Sequence, residues 1–253
     1  MSIYLKQFST HSEYEAYIAS EGKVLPNVSI CTTEGDVHYN PYVDPYVGHD
    51  YVEIGGLKWA TMNVGANSIT DTGLYFQWGD ISGYTASQCG SGEGQKYFGW
   101  ADYKYGNGTS SPGKTGMTKY NSTDGKTVLE AADDAAVANW GGSWRMPTTA
   151  EYVALGNAVN TAWTADYQGS GVKGLVCTDK TDSSKVLFFP ACGYCLNGNV
   201  RYVGSYSFYW SCSLFSSNVQ YAYILSSYSG GGSVDWQYYN DRFLGFPVRG
   251  VVG

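Results

Sequence analysis

The chain has 253 residues, 43% of them hydrophobic and 15% charged, with a formal net charge of −7. Such a length gives one large domain, or one domain with a small extension, and enough apolar residues for a core. The acidic balance is broken by no basic run, which argues against nucleic-acid binding and against attraction to an anionic membrane surface.

No stretch approaches 18 apolar residues, so no transmembrane helix is expected. The opening MSIYLKQFSTHSEYEAY has no apolar h-region and does not read as a signal peptide. With 33 Gly and 24 Tyr, composition favours a loop-rich β or α+β fold over a helical bundle.

Residues 1 to 48 read as a small N-terminal unit. Ser12-x-x-Glu15 is a capping box that opens a short helix with Tyr14, Tyr17 and Ile18 on one side. Leu25 to Cys31 and Asp36 to Asn40 read as strands joined by a polar turn with Gly35. Asn40 to Asp50, with two prolines, reads as a linker. A unit this short buries little surface alone and is expected to lean on the main domain or on other subunits.

The main domain, residues 49 to 253, begins with two strands around Gly55-Gly56 in Tyr51 to Ala66, then an aromatic strand in Gly73 to Asp80. Residues 81 to 126 form a long insertion ordered by Tyr97, Phe98, Trp100, Tyr103 and Tyr105. Thr127-x-x-Glu130 predicts a helix carrying Leu129, Ala132, Ala136, Val137 and Trp140, closed by Gly141-Gly142. Thr148-x-x-Glu151 caps a second helix with Tyr152, Leu155, Ala158 and Val159 inward. GVKGLVCT, KVLFFPA, SYSFYWSCS, QYAYILSS and GFPVRGV then read as strands. Two helices followed by a run of strands is an α+β order.

Catalytic chemistry is poorly supplied. All three histidines (His11, His38, His49) precede residue 51, so the rest of the main domain has no Ser-His-Asp triad, Cys-His pair or histidine metal site. The carboxylates Asp80, Asp102, Asp133, Asp134 and Glu151 are the candidates for a two-carboxylate hydrolase, and Asp133-Asp134 read more simply as a solvated helix face. Cysteines stand at 31, 89, 177, 192, 195 and 212. Cys192-x-x-Cys195 follows a strand and a proline, not a helix N-terminus that would lower a thiol pKa, and no second pair completes a zinc set. No catalytic residue, metal ligand or cofactor is assigned.

The segment from Asn197 to Leu244 is different in kind. Its 48 residues hold 13 aromatics, 10 serines and only four charges: Arg201, Asp235, Asp241 and Arg242. Tyr, Ser, Gly and Asn make adaptable binding surfaces, because Tyr gives large contact area at low entropy cost. Such a composition also suits plain strands. No Lys follows Lys185 and no Glu follows Glu151. Substitution of the adenines in AAC or AAT codons reaches Tyr, Ser, Asn, Asp, Gly, Phe, Leu, Ile, Val and Arg, but not Lys, Glu, Gln, Met or Trp. Trp210 and Trp236 would then be fixed frame, while Gln220 and Gln237 stand outside the pattern.

The ordered set GLKWATMNVGA, GLYFQWGD, GGSWRMPTTAEY, YWSCS and GFPVRG resembles a C-type-lectin-like domain, and the frame YWSCS, AYIL and GFPVRGV resembles the variable region of diversity-generating retroelement proteins. Those have a C-type-lectin-like domain of the kind shared with the formylglycine-generating enzyme. The resemblance covers about residues 50 to 253. It implies a non-enzymatic protein whose hypervariable surface binds a protein or glycan on a target cell. The N-terminal unit would attach it to a virion or surface assembly, such as a tail fibre, or make it a homo-oligomer. The pattern departs from the relatives with chemistry. Cys212 lacks the formylglycine-generating active-site surroundings, and Pro190 and Pro247 lack the flanking carboxylates or amides of calcium-dependent lectins. The other reading is a carbohydrate-binding or adhesin domain of the same fold with fixed specificity.

Frame positions on this reading are Trp210, Ala222, Leu225, Trp236, Gly245, Phe246, Val248 and Arg249. The binding face is Tyr202, Tyr206, Phe208, Leu214, Phe215, Ile224, Ser226, Tyr228, Asp235, Tyr238, Tyr239, Asn240, Asp241, Phe243 and Leu244. Ile224, Ser226 and Tyr228 alternate on one strand face, and the run Tyr238 to Leu244 shows neither helical nor strand period. Aromatic anchors of this kind carry most of an interface's energy.

Overall fold

A computed structural model of the protein describes residues 29–31, 37–39, 46–230 and 233–253. The chain divides into two compact units, Met1–Gly48 and His49–Gly253. In the first, β1 (Ser29–Cys31) pairs antiparallel with β2 (Val37–Tyr39), Ser29 facing Tyr39. The helix expected after Ser12 lies outside the described residues.

The second unit is α+β, with antiparallel strands and few helices. It opens with the hairpin β3 (Tyr51–Ile54) and β4 (Leu57–Asn63). Gly55 and Gly56 both take positive φ, 63° and 81°, as a two-residue hairpin turn requires. Tyr75 and Phe76 form only single bridges, to Tyr84 and Phe246, so the strand expected there is two isolated contacts.

The expected helix from Thr127 does not form. Val128 bridges Ser213 instead, Leu129 N–H donates to Cys212 O, and Leu214 N–H donates to Thr127 O. The helix starts later, as α1 (Ala135–Trp140). Its cap is Asp134, whose carboxylate accepts from Ala136 N at 2.8 Å and Val137 N at 3.1 Å. Asp134 is thus 4% exposed and Asp133 5%, not a solvated face. By contrast Thr148 caps α2 (Thr149–Ala158) with both bonds of its capping box in place.

The strands β5 (Val159–Thr164), β6 (Gly174–Asp179) and β7 (Val186–Pro190) make one sheet, and β8 (Tyr194–Leu196) and β9 (Asn199–Arg201) a hairpin. A third sheet has the order β10 (Tyr206–Leu214), β11 (Tyr221–Tyr228), β12 (Asp235–Asp241), and β13 (Arg249–Val252) pairs with β4. β10 divides the core. Phe208, Trp210, Cys212 and Leu214 enter one apolar cluster with Trp78, Met146 and Phe246, while Tyr209 enters the other with Trp59, Leu155 and Leu225. A strand buried on both faces is held rigidly. β12, at the sheet edge, is half-exposed along its length.

Two arginines tie the C-terminal segment to the rest, and both are fully buried. Arg249 donates to Asn63 Oδ1 and to the carbonyls of Ala60, Thr61 and Phe188, all at 2.7–3.0 Å. Arg242 donates to Tyr103 Oη at 2.7 Å and to the carbonyls of Tyr120, Val219 and Lys119 at 3.1, 2.8 and 3.0 Å. Its guanidinium lies 4.7 Å from the Trp78 ring centroid. Carbonyl dipoles and aromatic faces stand where a carboxylate would otherwise be needed.

Candidate functional site

The third sheet presents the aromatic segment. β10 and β11 pair Tyr206 with Tyr228, Phe208 with Ser226 and Trp210 with Ile224, and β11 and β12 pair Ile224 with Tyr238. Along this face Trp210 and Ile224 are fully buried, whereas Tyr228 is 43% exposed and Tyr238 45%. The face therefore runs from core to solvent.

At the boundary lies a hollow of about 370 Å³. Tyr206 and Phe208 line it from β10, Tyr238, Asn240 and Asp241 from β12, and Phe243 and Leu244 from the turn that follows. Tyr194 and Leu196 from β8 and Tyr202 close it. The rings form a continuous row: Tyr194 to Tyr202 at 5.8 Å, Tyr202 to Tyr206 at 5.3 Å, Tyr206 to Phe208 at 5.0 Å and Tyr206 to Tyr228 at 5.9 Å. Spacings of this order are those of mutually supporting aromatic pairs.

Buried groups behind the hollow hold its wall. Arg242 fixes the turn between Asp241 and Phe243. Trp100 packs on Phe243 at 4.7 Å, and Gln77 Nε2 donates to Phe243 O at 3.0 Å. Asp102 accepts from the N–H groups of Tyr97, Phe98 and Gly99 and from Gln77 Nε2. That bend lets Phe98 O and Tyr97 O accept from Asn197 N and Gly198 N in the turn between β8 and β9. Asp102 is thereby a structural carboxylate.

Asp241 has another character. Among the described residues its carboxylate has no hydrogen-bond donor and no ion-pair partner, and burial pushes its pKa up to about 6.

The expected face is only partly gathered here. Tyr202, Tyr206, Phe208, Tyr238, Asn240, Asp241, Phe243 and Leu244 meet around the hollow, with Phe208 and Leu244 nearly covered as its floor. Phe215 and Tyr239 stack at 4.1 Å in a second aromatic patch with Tyr221 and Tyr223. Tyr238 and Tyr239 stack at 5.7 Å, so the edge strand connects the two. Asp235 lies at the other end of β12, in a shallow depression with Trp236 and Gln237 against α2. Two expected contacts are corrected. Ile224, 0% exposed, and Leu214, 5%, pack into the core with Trp210 and Trp78, so neither reaches a ligand. Period-two alternation placed Ile224 with Tyr228, and the two do share a face with Ser226, opposite Trp210, Tyr206 and Phe208, but core packing covers the inner end of that face and buries Ile224. The run from Tyr238 is also a strand after all, hidden because its edge position leaves both faces half-exposed.

Tyr194 and Leu196 escaped the sequence reading because they precede the aromatic-rich segment. Their signal was the alternation Tyr194-Cys195-Leu196, with fully buried Cys195 facing away from the two lining residues.

The other candidate groups have structural partners. Asp133 accepts from Tyr105 Oη, from Tyr120 Oη at 2.6 Å, from Lys104 Nζ at 3.1 Å and from Lys119 Nζ. Burial would raise its pKa, yet Lys119, the two tyrosines and Lys104 hold it well below the usual range. Glu151 takes a two-pronged bond from Arg145 while capping α2. Asp80 lies 3.7 Å from Lys96 Nζ. Cys89, Cys177, Cys192, Cys195 and Cys212 are all buried free thiols, and burial pushes the Cys212 thiol up to about 12. No group of three metal-ligating side chains occurs among the described residues. No protein-family model, curated protein or solved structure matches this chain.

Proposed function

We propose that this chain is a non-enzymatic ligand-binding display protein. It has a C-type-lectin-like scaffold whose hypervariable surface is diversified by a retroelement and recognises a receptor on a target cell. The unit Met1–Gly48 serves as its attachment to a virion or surface assembly, or as an oligomerisation element, so that weak single sites gain by avidity.

One observation carries the reading, the separation of frame from face within a single segment. Trp210, Ala222, Leu225, Phe246, Val248 and Arg249 are buried to within 1%. Tyr202, Tyr228, Tyr238 and Tyr239 are 41–55% exposed between them. Exposed positions tolerate substitution at little cost in stability, so such a face can vary while the fold persists. A hollow of ring faces with a carboxylate and an amide beside them is also what a ligand site needs. The buried thiols offer no activated nucleophile.

Sequencing the flanking DNA tests this. A near-repeat of the segment beside a reverse-transcriptase gene, differing at adenines in the codons for Tyr206, Tyr228 and Tyr239, is the expected result. Absence of any repeat overturns the diversification. Asp241 and Asn240 beside stacked rings then favour a fixed lectin, and glycan-array binding is the measurement for it.

A further inference from the structure

We propose that the hollow between β10, β12 and β8 binds a quaternary ammonium group, with Asp241 as counter-charge and the surrounding rings as its cage. This rests on the reading of the surface as a binding face and adds the ligand chemistry for this particular chain.

Three features of the hollow point to a cation held by ring faces and a counter-charge. The first is its wall: six of the ten lining residues are aromatic. A ring face attracts a cation placed within about 6 Å of its centroid. Phe208 and Tyr238 stand on the same face of one sheet with β11 between them. Tyr238 faces Trp210 across Ile224, and Phe208 stands one pair further along the same face, so both rings line the one hollow.

The second is the isolated charge. Asp241 is partly desolvated and has no partner among the described residues. The neighbouring Arg242 turns inward, all three of its nitrogens held by Tyr103 and carbonyls. Arg201 pairs across the β8–β9 hairpin with Tyr194 and is exposed. The remaining titratable groups facing the hollow are the phenols of Tyr194, Tyr202, Tyr206 and Tyr238. A half-buried carboxylate with no donor invites an external cation.

The third is the make-up of the wall, in which ring faces outnumber every other kind of group and, among the lining residues, only Asp241 is charged. The other polar atoms are the phenol oxygens and Asn240, whose Oδ1 accepts from Asp241 N–H at 3.0 Å. A quaternary ammonium takes its binding from ring faces and a counter-charge and needs no hydrogen bonds.

The full chain is titrated with choline and with its neutral isostere 3,3-dimethylbutan-1-ol, followed by calorimetry and by quenching of tryptophan fluorescence. Choline is expected to bind roughly tenfold more tightly than the alcohol. Asp241→Asn and Tyr238→Ala, both partly exposed and so compatible with folding, each weaken choline by a comparable factor. Binding falls as pH drops below about 6, where Asp241 takes up a proton. Phosphocholine and Nε-trimethyllysine serve as second arms, and the tighter one distinguishes a lipid or glycan headgroup from a methylated protein side chain. Equal binding of choline and the alcohol, undiminished choline binding by Asp241→Asn, or no saturable choline binding each overturns the cation site. The retroelement reading falls separately, on the DNA repeat alone.

Discussion

Arg242→Met is the sharpest test of how the aromatic face is supported. The guanidinium is 0% exposed and spends its N–H groups on four acceptors. Tyr103 Oη and Tyr120 O lie in fully buried surroundings, while Val219 O and Lys119 O are nearer solvent and regain water. Methionine fills much of the volume over Trp78 but offers no donor. Two buried acceptors left unpaired cost about 1–3 kcal/mol each. Relief from burying a charge offsets part of that, so the net loss is about 3 kcal/mol, a large share of a typical domain's 5–15 kcal/mol. Urea unfolding followed by tryptophan fluorescence at neutral pH reads it as a lower midpoint with unchanged slope. Because Asp241, Phe243 and Leu244 hang on this residue, choline binding should weaken even where the variant stays folded. A midpoint shift below about 1 kcal/mol would show that the arginine is a passenger, and the account of the wall would fail.

Four further outcomes follow from the same structure. Ile224→Asp buries an unpaired charge in the core and should cost more than about 4 kcal/mol, whereas Tyr239→Asp should cost about 1 kcal/mol; thermal melts of both separate frame from face. Asp133→Asn should lower stability by about 3 kcal/mol at neutral pH, since it breaks a buried, multiply bonded carboxylate. Asp133 has a depressed folded pKa, so its contribution is full above the ordinary carboxylate range and is lost as pH falls through and below it; a pH series of urea midpoints on both proteins should converge in acid. The sign reverses for Asp241, whose raised pKa makes the native state bind the proton first: between its ordinary value and about 6 stability falls as pH rises, and Asp241→Asn should remove that slope. A thiol reagent should leave Cys89, Cys177, Cys192, Cys195 and Cys212 unmodified in the native protein and modify them in urea, as peptide mapping would show.

Local signals that agreed with their surroundings could be read from the chain. Gly55-Gly56 between two apolar runs gave a hairpin because only glycine takes both positive φ values cheaply. Thr148 and Glu151 gave a helix start because the Arg145 pair on Glu151 leaves both bonds of the capping box in place. The same pattern failed at Thr127 because its neighbours are claimed by tertiary contacts. Tyr120 Oη accepts from Glu130 N, Lys119 and Lys126 take the Glu130 carboxylate, and the backbone from Thr127 to Leu129 bonds to β10. β12 showed no period because an edge strand half-exposed on both faces has no reason to alternate. Candidate site residues were legible as composition, but sorting Ile224 and Leu214 from Tyr238 and Tyr239 needed the cover that the chain before residue 150 provides.

Arg242 was the least legible residue, and under the proposed diversification it is what would keep a varying face compatible with one fold. It reads as one of four charges in a polar run between Asp241 and Phe243, both of which line the hollow. Its burial depends on Trp78, Tyr103 and Tyr120, more than 120 positions earlier. Three of its four acceptors are main-chain carbonyls, which every residue type supplies, and the fourth, Tyr103, lies outside residues 197 to 244. Arg249 follows the same rule with the carbonyls of Ala60, Thr61 and Phe188. Anchors bonded to backbone are indifferent to the side chains around them, whereas a carboxylate partner could be lost to a single substitution. If the segment is diversified as proposed, copies of it should carry Arg242 and Arg249 unchanged while Asp241 and Phe243 vary on either side of the first. A collection of copies in which position 242 varies as freely as 241 would break the link between burial and constancy on which the frame rests.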